Sequence, residues 1–543
     1  MLSVQTDAGR KRWTLVACIL GSGIVLLDGT VVNVALPTIQ RALGGGLAAQ
    51  QWVVNGYLLT LGSLILIGGS LGDLFGERRV FAIGVSGFGA ASLICALAPS
   101  IGVLVGARAL QGVAGALLVP SSLAVIVNTF PESERGAAIG SWTAWGAIAG
   151  VLGPLAGGEL LALGSWRLIF LMNIPLTIGC VALILIAIPA STPRAARGAR
   201  RVDYTGAALC ALGLGGPVFA LIEQPRLGWS SAAVTVPLIA GVALLVLFLL
   251  YESRARDPML PLGLFRRRNF SAGNVETFAM YAGLSILFFF LILFLQQIGG
   301  YTPLKSGLAT LPVTVVMFVL SRRFGALADR YGPRFFMGAG PLLAAGGLLL
   351  FQRVGVRADY LSEVLPPLLV FSLGLSMTVA PLTAAVLAGS EHQAGIASGV
   401  NNAIARVAGL LGTASVGAVI ASAFATSIDG RLHGTPLGAA ARAAVREAKR
   451  LPLGQPSVHG VPAVQAHAVT LAAQQASLHS FHLGMMIAAA LVALGGVVGV
   501  AGIRNPQAAD VNAAECAGGQ LVGINPEPYE AGAPKAGAAS ARI

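Results

Sequence analysis

GDLFGERR, Gly72 to Arg79, and ALADRYGPR, Ala326 to Arg334, decide how the rest of the chain is read. The first places four charges in eight residues of a chain that is only 10% charged. Apolar runs flank it on both sides, each about as long as a bilayer-crossing helix. A wet connector needs turn formers and positive charge, which Gly76, Arg78 and Arg79 supply. It does not need an aspartate at the matching place of both loops, Asp73 and Asp329.

The surrounding sequence sets the solvent. The chain has 543 residues, is 55% hydrophobic and has a mean hydropathy of +0.79. A soluble domain carries roughly 25% charged residues. Repeated apolar runs long enough to cross about 30 Å of hydrocarbon imply an all-α polytopic membrane protein. Fourteen spans are expected: 13–37, 50–71, 80–98, 101–127, 137–161, 166–190, 204–222, 233–251, 271–297, 306–322, 335–352, 362–388, 397–424 and 481–503. The seventh is the weakest, because Gly and Pro interrupt it. The 71 glycines suit closely packed, sliding helices, and with the Arg-over-Lys excess they also fit a bacterium with a GC-rich genome.

Lys and Arg set the expected orientation. Alternate loops on one side hold twenty of them, including Arg10, Lys11, Arg12, Arg78, Arg79, Arg135, Arg194, Arg197, Arg200, Arg201, Arg330, Arg334 and Arg504. The opposite short loops hold six. Both termini are therefore expected in the cytoplasm, with the chain in the cytoplasmic membrane. The same distribution accounts for the net charge of +13, so no nucleic-acid partner is expected. Trp13 to about Pro37 reads as an uncleaved first span. Residues 1–12 read as a cytoplasmic N-terminus and 506–543, rich in Ala, Gly and Pro, as a disordered tail. A long outer loop is expected over 425–480, with a short surface helix at 438–450.

The two charged loops lie between spans two and three and between spans ten and eleven. Their positions match if spans seven and eight, within 191–270, are an insertion between two six-helix halves, 13–190 and 271–505. Repeated halves with a binding site between them are the usual build of secondary transporters.

Further stretches sharpen this. They are LDGTVVNVALP (Leu27–Pro37), RALQGVAGA (Arg108–Ala116), GAIAGVLGPLAGG (Gly146–Gly158), SWRLIFLMNIP (Ser165–Pro175), LFLQQIGGYTPLKSGLATLP (Leu293–Pro312) and GIASGVNNAIARVAG (Gly395–Gly409). With GSLGDLFGERR they resemble the major facilitator superfamily, specifically its fourteen-helix drug:proton antiporter branch, over about residues 10 to 505. One departure is Leu74, where that family usually has a basic residue after the aspartate; the second copy keeps it as Arg330.

Asp28 lies about fifteen residues into the first span, roughly 22 Å from its cytoplasmic end at 1.5 Å per residue. A carboxylate at that depth costs at least about 2.5–3.5 kcal/mol and needs a cavity or a partner. The resemblance implies a role in proton coupling or substrate binding; the alternative is a structural hydrogen bond. Glu276, nearer the cytoplasmic end of span nine, is the second coupling candidate, with snorkelling to water as its rival. Arg108 needs a carboxylate or carbonyl partner. The resemblance implies that it takes part in proton coupling, and a static ion pair is the alternative. Arg406 reads as structural.

Gly146, Gly150 and Gly157 fall near one face of span five, while Pro154, beside Gly153, permits a kink. The resemblance identifies this stretch as the antiporter motif, associated with export and with sealing against leak. In the charged loops, Gly69, Asp73, Gly76, Arg78 and Arg79, echoed by Gly325, Asp329, Arg330, Gly332 and Arg334, form a candidate conformational latch. Its aspartates are suited to helix N-termini and arginines that come together when the cytoplasmic side closes.

Several classes are excluded. No GxxxxGK[ST] or HExxH stretch is present, so neither an ATP-driven pump nor an enzyme is expected. Cys18, Cys95, Cys180 and Cys210 lie in spans and Cys516 in the tail, with no metal-ligand spacing. The expectation is efflux of small amphipathic organic compounds by alternating access, with protons, the lipid bilayer and a small-molecule substrate as partners and no cofactor or metal. The alternatives are a dedicated exporter of one metabolite and a non-transporting sensor or scaffold.

Overall fold

The computed structural model describes residues 7–189, 202–387 and 394–505. Fourteen helices are long and apolar enough to cross a bilayer. They are α1 (Asp7–Leu43), α2 (Leu47–Phe75), α3 (Glu77–Leu97), α4 (Ile101–Thr129), α5 (Glu132–Ala162), α6 (Leu168–Ala187), α7 (Tyr204–Leu227) and α8 (Ala232–Glu252). The second half supplies α9 (Arg268–Gln297), α10 (Pro303–Tyr331), α11 (Pro333–Arg353), α12 (Tyr360–Leu387), α13 (Ala394–Leu432) and α15 (Ala463–Gly502), with a short α14 (Ala439–Arg450) before the last. The proposed tail, 506–543, and Arg194, Arg197, Arg200 and Arg201 lie outside the described residues.

The repeated charged loops are the same backbone device twice. Gly76 is the single residue between α2 and α3, at φ 91° and ψ 128°. Gly332 is the single residue between α10 and α11, at φ 85° and ψ 149°. Positive φ is accessible to glycine without steric cost, so each loop reverses the chain in one residue. The packing also repeats. α3 lies so close to α4 that a Cβ on Gly84 would stand 2.9 Å from the Leu118 nitrogen. α11 meets α12 at least as closely, with a Cβ on Gly374 2.3 Å from the Ala344 nitrogen. Small residues let backbones approach where lipid supplies no hydrophobic drive.

The weak seventh span is a continuous helix despite Pro217. α7 and α8 pair through glycines: a Cβ on Gly216 would sit 2.2 Å from the Pro237 carbonyl oxygen. α7 then lies on the junction of α2 and α13, where Val218 and Ile222 meet Leu410 and Ala414. Trp52 Nε1 of α2 donates to Glu223 Oε1 at 3.1 Å. The other side of α8 is bare: Val236, Ile239 and Val246 are 61, 69 and 53% exposed, a face for lipid.

The outer loop differs most from expectation. α13 runs on to Leu432 and α15 begins at Ala463, so most of 425–480 is helix and the connection is 433–462. Ala-rich sequence has high helix propensity, and the two extensions bury Phe424 and Ile428 against Ala473 and Ala476, with α14 packed on them. The helix expected at 438–450 is present as α14.

The halves meet most closely at the end of the bundle away from the termini. Gln51 Nε2 donates to the Thr413 carbonyl at 2.6 Å, Thr413 Oγ1 to Asn55 Oδ1 at 3.0 Å, and Gln296 Nε2 to the Val34 carbonyl at 2.9 Å. There too α5 meets α10, Gly158 against Leu304 and Gly307 against the Pro154 carbonyl.

Candidate functional site

Asp28 and Arg108 face each other inside the first half, 0% and 1% exposed, with Arg108 Nη1 donating to Asp28 Oδ2. Arg108 Nη1 also donates to Gln111 Oε1 at 2.8 Å, and its Nε to the Val53 carbonyl at 3.1 Å. Its guanidinium carbon stands 4.3 Å from the Tyr57 ring centroid. Asn173 Nδ2 of α6 donates to Asp28 Oδ1 at 2.9 Å, and Gln111 Nε2 approaches the same oxygen at 3.5 Å. Both amides also donate to Ser92 Oγ of α3, Gln111 Nε2 at 2.6 Å and Asn173 Nδ2 at 3.0 Å. Five helices thus converge on one buried carboxylate. The depth argument foresaw a partner for both charges, and they partner each other. It passed over Gln111, three residues after Arg108 and so on its helix face, and Asn173, the amide within an apolar run. Both were legible as polar groups at membrane depth.

α5 is fitted to α1 by glycine. A Cβ on Gly153 would lie 2.0 Å from Thr30 Oγ1, one on Gly157 2.7 Å from Val31 Cγ2, and one on Gly146 3.0 Å from Leu26 Cδ1. Gly150 faces open space, so the tight contact belongs to Gly153, seven residues after Gly146. Gly150 matters through its carbonyl. Pro154 has no N–H to give the residue four before it, and Thr30 Oγ1 reaches that orphan Gly150 oxygen at 3.0 Å, sharing its one hydrogen with the Leu27 carbonyl of its own helix, also at 3.0 Å. Unpaired backbone at membrane depth is costly, so Thr30 is part of the motif.

Glu276 is elsewhere. It is 0% exposed and neither carboxylate oxygen has a hydrogen-bond partner among the described residues. It points to α15, where a Cβ on Gly499 would stand 2.6 Å from Glu276 Oε2 and 2.4 Å from the Met337 carbonyl of α11. Its α9 neighbours Asn274 and Thr277 instead accept from Asn401 Nδ2 of α13, at 3.1 and 2.7 Å. The two candidate carboxylates therefore belong to separate environments, and Glu276 does not snorkel.

In the first charged loop, Asp73 and Arg79 are exposed, while Arg78 Nη2 donates to the Leu185 carbonyl near the end of α6 at 3.0 Å. The buried acid there is Glu77, which the sequence reading passed over; its Oε1 accepts from Asn128 Nδ2 of α4 at 2.7 Å. Gly69 packs on Pro120, as Gly325 packs on Ala380. In the second loop, Asp329 and Arg330 are exposed, with the Arg330 guanidinium 5.4 Å from the Tyr331 ring. Arg334 Nε donates to the Val500 carbonyl at 2.7 Å. The arginines thus tie neighbouring helix ends within each half.

Two repeated six-helix halves, a helix pair between them and a charged network inside the bundle define a secondary-transporter architecture. The family model of the Major Facilitator Superfamily matches residues 18–413. The chain belongs to that superfamily and is a multi-pass membrane transporter, not an enzyme. It is 38% identical over 443 residues to the puromycin resistance protein pur8 of Streptomyces alboniger, covering 78% of this chain and 87% of that one. It is 35% identical to the tetracenomycin C resistance and export protein of Streptomyces glaucescens, covering 76% and 77%. The multidrug resistance protein Stp of Mycobacterium tuberculosis is also 35% identical, at 77% and 78% coverage. In fold, it is similar to a bacterial homologue of the lysosomal transporter Spinster, with a TM-score of 0.57 at 16% identity, over 92% of this chain and 99% of that one.

Proposed function

We propose that the protein exports small amphipathic organic compounds across the cytoplasmic membrane in exchange for protons, with Asp28 as the proton carrier. The observation that carries this reading is the enclosure of Asp28 by Arg108, Asn173 and Gln111. The names of the three relatives given above, resistance or export proteins, support the direction of transport.

The chemistry follows from the donor set. While ionised, Asp28 accepts from all three groups and holds Arg108 in place. A proton on Asp28 removes the charge that Arg108 pairs with, and the helices carrying the two residues are then freer to shift. α1 and α4 belong to the first half, and α1 is fitted to α5, whose other side meets α10 of the second half. A change at Asp28 therefore has a packed route to the contact between halves. With both termini in the cytoplasm, the closely met end faces outward, the arrangement in which substrate enters from inside.

Proteoliposomes containing a pH dye test this. With an imposed proton gradient, tetracenomycin C should drive proton movement with wild type and not with Asp28→Asn. Substrate movement indifferent to the gradient refutes proton coupling.

A further inference from the structure

Arg406 is the membrane-embedded cation that the Asp28 network leaves unused. It lies twelve residues into α13, roughly 18 Å from the start of that helix. It makes no hydrogen bond or ion pair with any other described residue, and it is half-buried. A guanidinium keeps its charge. Inside a membrane it must face a partner or a water-filled cavity.

The helix registers place it on the boundary between the halves. α2 and α13 run antiparallel. Asn55 meets Thr413, Gly62 stands 3.1 Å from the Arg406 Cβ at its own Cβ position, and Gly399 meets Leu66. The α2 residues 51, 55, 62 and 66 share one helix face, as do 399, 406, 413 and 417 on α13. α9 and α13 run side by side in the same direction, Thr277 at Asn401 and Ser285 at Gly409, which puts Tyr281 level with Arg406. Tyr57, 1% exposed, carries Arg108 on its ring face and donates its hydroxyl to the Val25 carbonyl of α1 at 3.3 Å, so it belongs to the interior of the first half.

No carboxylate of the described core is available to Arg406. Asp28 is taken by Arg108, and Glu276 points away to α11 and α15. Among the described residues, the boundary between the halves thus carries an uncompensated positive charge and no uncompensated negative one. An organic cation would be repelled there.

We infer that Arg406 binds an anionic group of the transported compound, a carboxylate or acidic phenol on an aromatic skeleton, with Tyr281 level with it on α9. This rests on the export reading and names its substrate class. A fork of N–H donors suits a carboxylate or a phenolate oxygen, and a guanidinium also stacks on an aromatic face.

The test uses the full-length protein in detergent, with fluorescein as the anionic aromatic probe and ethidium as the cationic one. Binding of each is measured by fluorescence anisotropy for wild type, Arg406→Gln and Arg406→Lys, with melting curves to confirm folding. Fluorescein should bind wild type, weaken about ten- to hundredfold in Arg406→Gln and recover in part in Arg406→Lys. Ethidium binding should be unchanged or tighter in Arg406→Gln. No fluorescein binding by wild type, or equal binding by a folded Arg406→Gln, overturns the inference. Uptake of fluorescein by everted vesicles is measured separately. Binding that obeys these rules without gradient-driven uptake refutes the export reading and leaves the anion site standing.

Discussion

Asp28→Asn and Arg108→Gln remove the two ends of one buried pair, and they should not behave alike. Asp28 accepts from Arg108 Nη1, from Asn173 Nδ2 at 2.9 Å and, more weakly, from Gln111 Nε2 at 3.5 Å. A carboxylate can satisfy all three because it is acceptor-only. Asparagine brings one oxygen and two N–H donors, so at least one incoming donor meets another. Arg108, 1% exposed, cannot shed its charge and keeps only Gln111 Oε1, the Val53 carbonyl and the Tyr57 ring. Breaking a buried pair costs about 3–5 kcal/mol; the surviving contacts put Asp28→Asn near the low end, about 3 kcal/mol. That corresponds to a fall in melting temperature of about 3 °C. In Arg108→Gln the stranded group is a carboxylate, which keeps the Asn173 and Gln111 donors, so the loss should be smaller than in Asp28→Asn. Melting curves of the purified proteins decide this. An equal or larger loss in Arg108→Gln, or no loss in Asp28→Asn, refutes the account of the pair.

Gly153→Ala should destabilise by about 1–3 kcal/mol, because its Cβ would stand 2.0 Å from Thr30 Oγ1. In a Thr30→Ala background the cost should be smaller, and additive losses in the double-mutant cycle would show that the two do not compete for that space. Glu276→Met should stabilise by about 1–3 kcal/mol, since neither carboxylate oxygen has a partner among the described residues and Met replaces it with apolar atoms. A drop in melting temperature, or loss of gradient-driven transport in a folded protein, would show that the carboxylate has a partner or a working role.

Much of this molecule was legible in its sequence because bilayer physics leaves few options. A run such as 271–297 can only be a helix, since backbone polar groups in hydrocarbon must pair within the segment. Fourteen such runs, and two loops with glycine before the turn to the next helix, were enough for the span count and the repeated halves. Depth alone marked Asp28 and Arg108, because a charge placed that far into hydrocarbon needs a reason.

Depth says nothing about direction around a helix axis. Asp28 and Glu276 look alike along the chain. Only the packing of α1 against α3, α4 and α6 turns one into the centre of a hydrogen-bond network, while α9 aims the other at Gly499. The same holds for Gly150 and Gly153, where spacing chose the wrong glycine and the Pro154 gap decided what Thr30 does. Arg406 reads in sequence as a structural residue. The registers of α2 and α9 against α13 set it at the boundary between the halves without a carboxylate. The sequence by itself determined which segments cross the membrane and which residues are expensive there, because both follow from local composition and depth. Which of those residues meet was decided by tertiary structure alone, because contact across helices depends on rotations and registers set by the packing of the whole bundle.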